Sequence, residues 1–152
     1  MIKAKLNLDV GCGEHCQPGF CGMDIRKVKG VEIVHDAEAF PWPVDDGACS
    51  VVLMSHFIEH VKPWLQINMM NEAWRVLELG GMLLISTPYG GSFRWHQDPT
   101  HCASWNEATI EYFVKGKPLY EVYKPKPWAV DRLFFNPRAD IEVSFKKIAE
   151  EI

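Results

Sequence analysis

The residues able to do chemistry fall into a few short stretches. Asp9-Val10-Gly11-Cys12-Gly13 carries two glycines, which permit positive φ and let backbone N–H groups approach a ligand. A dinucleotide fingerprint needs a third glycine three positions after Gly13, but Cys16 stands there, and the chain has no Gly-Lys-Ser/Thr of a phosphate loop. Asp24, in GMDI, offers a carboxylate that can accept from both hydroxyls of a ribose and that repels a 2′-phosphate. Asp36-Ala37, after VEIVH, offers a carboxylate for an adenine amino group and a backbone N–H for a ring nitrogen. In YGGSFRWHQDPTHCASW, His96, Asp98 and His101 lie close together. Imidazole suits proton transfer near neutrality, so His101 is the expected general base, with Asp98 orienting it. The simpler reading is that Asp98 and Thr100 build a turn. His56-Phe57-Ile58-Glu59-His60 matches HxxEH, a metallopeptidase pattern that needs one continuous helix. Pro63 opens a helix just beyond it, so no peptidase is expected.

The elements that must position these residues alternate. Short apolar runs predict strands over residues 5–10, 22–26, 31–35, 50–54 and 82–86. Leu65, Met69, Ala73, Val76 and Leu77 recur at three- and four-residue spacing, which predicts one helix over 63–79, stopped by Gly80-Gly81. Residues 90–105 read as a long polar and aromatic loop, and Asn106 caps a short helix over 106–114. Runs at 132–135 and 141–145 read as an antiparallel edge. Strands alternating with a helix imply a parallel, doubly wound α/β sheet, in which ligands bind beyond the carboxyl ends of the strands. Residues 9–14, 24, 36, 55–60 and those from 87 onward therefore matter most.

At 152 residues the chain is expected to be a single domain, with a core over 5–90, a substrate-side loop and helix over 90–118, and a strand pair over 119–152. Hydrophobic residues make up 47% and charged residues 24%, which argues against disorder. Sixteen Lys and Arg against 20 Asp and Glu leave a net charge of −4, a balance that disfavours a nucleic-acid partner. Lys115, Lys117, Lys124 and Lys126 form the most basic stretch and read as a solvated face. The five cysteines are odd in number and show no CxxC spacing, so reduced thiols are expected. The start lacks a signal-peptide pattern, and no apolar run reaches the length of a membrane span. A cytoplasmic location without membrane association is the expectation.

In order, LNLDVGCG, GMDI, VHDAEAFPWPVDDG, CSVVLMSHFIEHV and NEAWRVLELGGMLLISTP resemble class I S-adenosylmethionine-dependent methyltransferases, over roughly residues 5–90. The resemblance implies a Rossmann-like sheet and S-adenosylmethionine as cofactor. It places Asp9, Gly11, Cys12 and Gly13 around the methionine moiety, and Asp24 with Ile25 at the ribose. It places Asp36 and Ala37 at the adenine, and Ser55 and His56 beside the bound cofactor, where His56 joins His101 and Asp98 as a catalytic candidate. The chain departs from the family in length. Only ten residues, with Pro18 and Gly19 among them, separate Gly13 from Asp24, and only five separate Ile25 from Val31. The first connecting helices are therefore expected to be missing or reduced, as in a small bacterial and phage-like subgroup. One sheet face is then poorly covered, which predicts a partner, a homodimer or a thin lid over it. The implied activity is methyl transfer, to oxygen or to nitrogen, of a small-molecule or sugar-like acceptor. A non-catalytic cofactor-binding protein is the alternative. His56-Phe57-Ile58-Glu59-His60 is also similar to an ExxEH that holds a divalent metal in some methyltransferases acting on RNA ends or in ubiquinone synthesis, with His56 in place of the first Glu; with His101, a site of His56, Glu59, His60 and one open position would suit manganese, iron or zinc. Metal-assisted transfer to RNA or a catechol is thus a third reading. The reading adopted assigns no metal ligand and has Glu59 and His60 order their loop.

Overall fold

The structure, a computed structural model, describes residues 4–151. In chain order the elements are β1 (Leu6–Val10), β2 (Cys21–Asp24), β3 (Val31–Val34), β4 (Cys49–Ser55), α1 (Gln66–Val76), β5 (Leu77–Pro88), α2 (Phe93–His96), α3 (Glu107–Glu111), α4 (Tyr120–Tyr123), β6 (Trp128–Phe135) and β7 (Asp140–Lys147). The strands form one sheet in the order β3-β2-β1-β4-β5-β7-β6. Strands β1 to β5 are parallel, and β7 runs antiparallel to both β5 and β6. Strand order reverses between β1 and β4, and the crevice beyond their carboxyl ends is where such sheets take ligands.

The residue pattern explains the single long helix. Pro63 opens a 3-10 turn whose N–H requirement it does not add to, and the chain then passes into α1. Met69, Met70, Ala73 and Val76 are fully buried at helical spacing. Burying a Met or Val side chain contributes about 1.5–3 kcal/mol, so this stripe is what docks the helix. The helix ends three residues before the sequence predicts. Leu77 is already extended and pairs with Cys49 on β4, and Gly80 at φ +79° turns within β5 instead of stopping a helix. The loop over 90–105 contains the one-turn α2, and α3 is shorter than 106–114, held by a capping box between Asn106 and Thr109. The two C-terminal runs form the expected antiparallel edge; the first strand starts four residues earlier and the second extends at both ends.

No helix lies between β1 and β2 or between β2 and β3 among the described residues. Residues 11–20 and 25–30 cross by turns, because so few residues with such breakers cannot hold a helix and two connections. The sheet is consequently asymmetric. On one face Leu8, Val52, Leu83 and Phe145 stand in register and are fully buried. They meet α1 and an aromatic group in which Trp105 stacks on Phe113 at 5.5 Å and Trp128 leans on Phe145. On the other face the row Asp9, Leu53, Leu84, Ser144 and Arg132 runs across five strands, with Leu53 and Leu84 only half-buried and Phe134 exposed. No helix among the described residues is long and apolar enough to cross a membrane.

Candidate functional site at the strand tips

The β1 tip turns through Gly11 at φ +69° and Gly13 at φ +54°. A side chain at Gly11 would place its Cβ 2.2 Å from the Phe57 ring, so the turn needs glycine for space as well as for conformation. Gly13 N–H donates to Asp24 Oδ2 at 2.9 Å, which pins the turn to the β2 tip. Asp24 Oδ1 accepts from the Arg26 amide at 2.9 Å and lies 3.4 Å from the Arg26 guanidinium. Burial pushes the Asp24 carboxyl upward, but these N–H donors and the guanidinium outweigh it and hold its pKa below the usual value. A carboxylate has about four lone-pair positions, so one stays open here, and a second opens if the exposed Arg26 side chain swings away.

The remaining members of the expected cofactor set take different places. Asp9 is 3% exposed and accepts from the Gln17 amide at 2.8 Å, so its side chain closes the short 11–20 crossing. Burial raises its pKa, against the lowering effect of that bond. Cys12 lies in the turn, and burial, with Cys16 and Asp9 nearby, pushes its thiol to about 12. Ile25 and Asp36 are exposed at the tips of β2 and β3, and Asp36 Oδ1 caps the Glu38 amide at 2.9 Å. Ala37 is buried, with its carbonyl accepting from the Trp42 indole at 2.8 Å. Trp42 is in turn fixed by its amide donating to Glu72 Oε1 on α1. Ser55 is exposed at the β4 tip.

His56 follows at φ +52°, a left-handed conformation that costs a non-glycine residue roughly 1–3 kcal/mol. Its amide donates to Ser86 O on β5 at 2.8 Å. Its ring stands between two buried carboxylates, with Nδ1 3.6 Å from Glu59 Oε2 and Nε2 3.7 Å from Asp140 Oδ2. Glu59 foremost, and Asp140 with it, raise the His56 pKa against the opposing effect of burial. Arg94, on α2, reaches within 3.8 Å of Asp140 Oδ1.

The expected pair of His101 and Asp98 is built otherwise. His101 Nε2 is 3.7 Å from Asp98 Oδ2, beyond hydrogen-bond reach, and His101 Nδ1 lies 2.7 Å from the Trp95 carbonyl. The His101 side chain is 7% exposed. Asp98 accepts from the amide and hydroxyl of Thr100 at 2.8 and 2.7 Å, and these two bonds hold its pKa below the usual value. Sequence reasoning missed Asp140 and Arg94. Asp140 enters through the antiparallel register that sets it opposite Pro88, and nothing near it in the chain announces that.

Residues 8–85 match the methyltransferase domain family. A protein of Mycolicibacterium smegmatis, described as a probable S-adenosylmethionine-dependent methyltransferase, is 28% identical over 68% of this chain and 47% of its own length. The chain thus spans about half the length of that curated relative. A crystal structure of an S-adenosylmethionine-dependent methyltransferase from Archaeoglobus fulgidus is similar with a TM-score of 0.69 at 16% identity, covering 94% of this chain and 86% of that one. One from Methanosarcina mazei is similar with a TM-score of 0.64 at 14% identity, covering 99% and 95%. With residues 8–85 matched and the strand order in place, the chain belongs to the class I S-adenosylmethionine-dependent methyltransferase family.

Proposed function

We propose that this chain binds S-adenosylmethionine across the tips of β1 to β4 and transfers its methyl group to a hydroxyl of a small-molecule or sugar-like acceptor. One observation carries the reading: the left-handed Gly11–Gly13 turn is pinned by its own amide to the carboxylate at the next strand tip. The residues present fit the cofactor. Asp24 keeps lone-pair capacity for a ribose hydroxyl, and Asp36 is exposed one strand further along.

When bound, S-adenosylmethionine supplies a methyl group on a sulfonium: the acceptor oxygen forms the new C–O bond, the C–S bond breaks, and its electron pair stays on sulfur. The chain's own residues do the rest. Alignment of the acceptor is the largest part of that work. His56 takes the acceptor proton, since it is 41% exposed at the β4 tip and the carboxylates of Glu59 and Asp140 stabilise the imidazolium that forms. This assignment favours His56 over His101, whose ring is buried and committed to Trp95. Calorimetry with S-adenosylmethionine tests the first half of the proposal, and chromatographic detection of S-adenosylhomocysteine with pooled hydroxylated metabolites tests the second. Saturable binding with slow product formation is expected. An absence of binding would overturn the reading. Binding without product, in any acceptor pool, would reduce it to the non-catalytic alternative.

A further inference from the structure

Among the described residues Glu59 is the clearest electrostatic anomaly. It is 1% exposed, and neither carboxylate oxygen has a hydrogen-bond partner. The nearest imidazole nitrogen, His56 Nδ1, stops 3.6 Å short of Oε2. A buried carboxylate left in this state is costly unless a cation sits against it.

The surroundings supply the rest of a donor set. The Glu59 carbonyl accepts from the amides of Cys102 and Ala103 at 2.9 and 3.2 Å, which draws the loop carrying His101 against the one carrying His60. The two imidazole rings lie 4.8 Å apart, edge to face. One ligand atom each from Glu59, His60 and His101 lies within 4.8 Å of the other two.

The hydrogen-bond network fixes which nitrogens are bare. Thr100 Oγ1 donates to Asp98 Oδ1 at 2.7 Å, so towards His60 Nδ1, 3.0 Å away, it can only accept. The Trp95 carbonyl, 2.7 Å from His101 Nδ1, can likewise only accept. In the neutral rings the proton therefore sits on Nδ1, and both Nε2 lone pairs are left without a donor from the protein. Two bare imidazole nitrogens and a bare buried carboxylate are acceptors with no proton among them. A metal ion satisfies all three at once. The arrangement in which a ligating histidine gives its other N–H to a carbonyl or a polar oxygen is the usual support of such a centre.

We propose that Glu59, His60 and His101 bind a first-row divalent metal ion, with Thr100 and the Trp95 carbonyl setting the two ring tautomers. Two imidazoles and one carboxylate suit zinc, iron or manganese. Bonds of about 2.0–2.1 Å would draw the three donor atoms to roughly 3.4 Å from one another, a closure within reach of side-chain rotation. His101 then acts as a ligand rather than as a base, and Asp98 supports it through Thr100. The three ligands leave a further coordination position, and His56 stands next to Glu59 Oε2. The role of that position in holding an acceptor oxygen rests on the methyl-transfer reading; the ion itself does not.

Manganese is the probe of choice, because Cys12, Cys16 and Cys21 would compete for softer ions. Chelator-treated protein is titrated with manganese chloride, and free ion is read by electron paramagnetic resonance. One saturable site per chain is expected. Glu59→Gln and His60→Ala should each weaken it by about tenfold or more, and Thr100→Val by about tenfold. His15→Ala, on the exposed crossing loop, should leave it unchanged. Glu59→Gln removes a buried charge that has no hydrogen bond and only the His56 ring 3.6 Å away, so it should melt no lower than the unsubstituted protein when both are metal-free, and its loss of binding is not loss of fold. No saturable site, or equal affinity in Glu59→Gln, would overturn the proposal. S-adenosylmethionine binding to the same metal-free protein is scored separately, so either reading can fail without the other.

Discussion

The tips of β1 to β3 and the tips of β4, β5 and β7 lie along one sheet edge but are built on opposite terms. On the first side the carboxylates find donors within the chain: Asp9 takes the Gln17 amide, Asp24 those of Gly13 and Arg26, and Asp36 that of Glu38. On the second side buried polar groups stand bare. Glu59, Thr87 Oγ1, Arg94 Nε and Asp140 Oδ1 have no hydrogen-bond partner. Turns that replace missing helices must hold themselves together, so their acids are used up in local bonds. The strands that keep their connecting helix can leave acids unspent, and unspent buried acids are where chemistry with an outside molecule is concentrated.

The strongest way to sharpen this contrast is to remove His56. His56→Ala should slow methyl transfer by about 10²–10⁴-fold while sparing cofactor affinity, measured as turnover beside calorimetric binding. Equal loss of both would place His56 on the self-satisfied side. Gly11→Ala attacks the other side. A Cβ pressed on Phe57 and a residue forced to φ +69° should destabilise the fold by about 1–3 kcal/mol in denaturant unfolding. Asp24→Ala should weaken S-adenosylmethionine binding by about 1.5–3 kcal/mol per lost bond, and unchanged affinity would break the ribose assignment.

The smallest effect concerns pH, where two acids on the same side should act with opposite sign. Asp24 is held below its unfolded pKa, so its contribution to stability is complete above that unfolded value and is lost as pH falls through the folded one. Asp9 is raised, so it costs stability when ionised, and that cost shrinks as pH falls through its folded value and is gone below its unfolded one. Melting profiles in acid should show Asp24→Asn less stable than the parent at neutral pH and less sensitive to acid. Asp9→Asn should be at least as stable at neutral pH. Matching profiles for the two variants would contradict the assignment of the shifts.

The sequence made the first side readable and the second side much less so. A strand tip follows its strand directly, so Gly11, Asp24, Asp36 and Ser55 announce their positions by adjacency. Pro18, Gly19 and the short spacing to Asp24 gave away the absent helices. The end of α1 was harder, since Leu77-Glu78-Leu79 continues the helical stripe and only pairing with Cys49 decides for the strand. His101 and Asp98 stand 3.7 Å apart without a hydrogen bond, because Thr100 satisfies Asp98 locally while the Trp95 carbonyl captures the ring. The environment of His56 depends on Asp140, eighty-four positions away and delivered by an antiparallel register that no local pattern encodes.

Phe57 sits between the two sides, its ring filling the space that Gly11 leaves vacant, only two residues before Glu59. It is a shared wall. The glycine bend and the short turn that carries Glu59 and His60 thus meet on one ring.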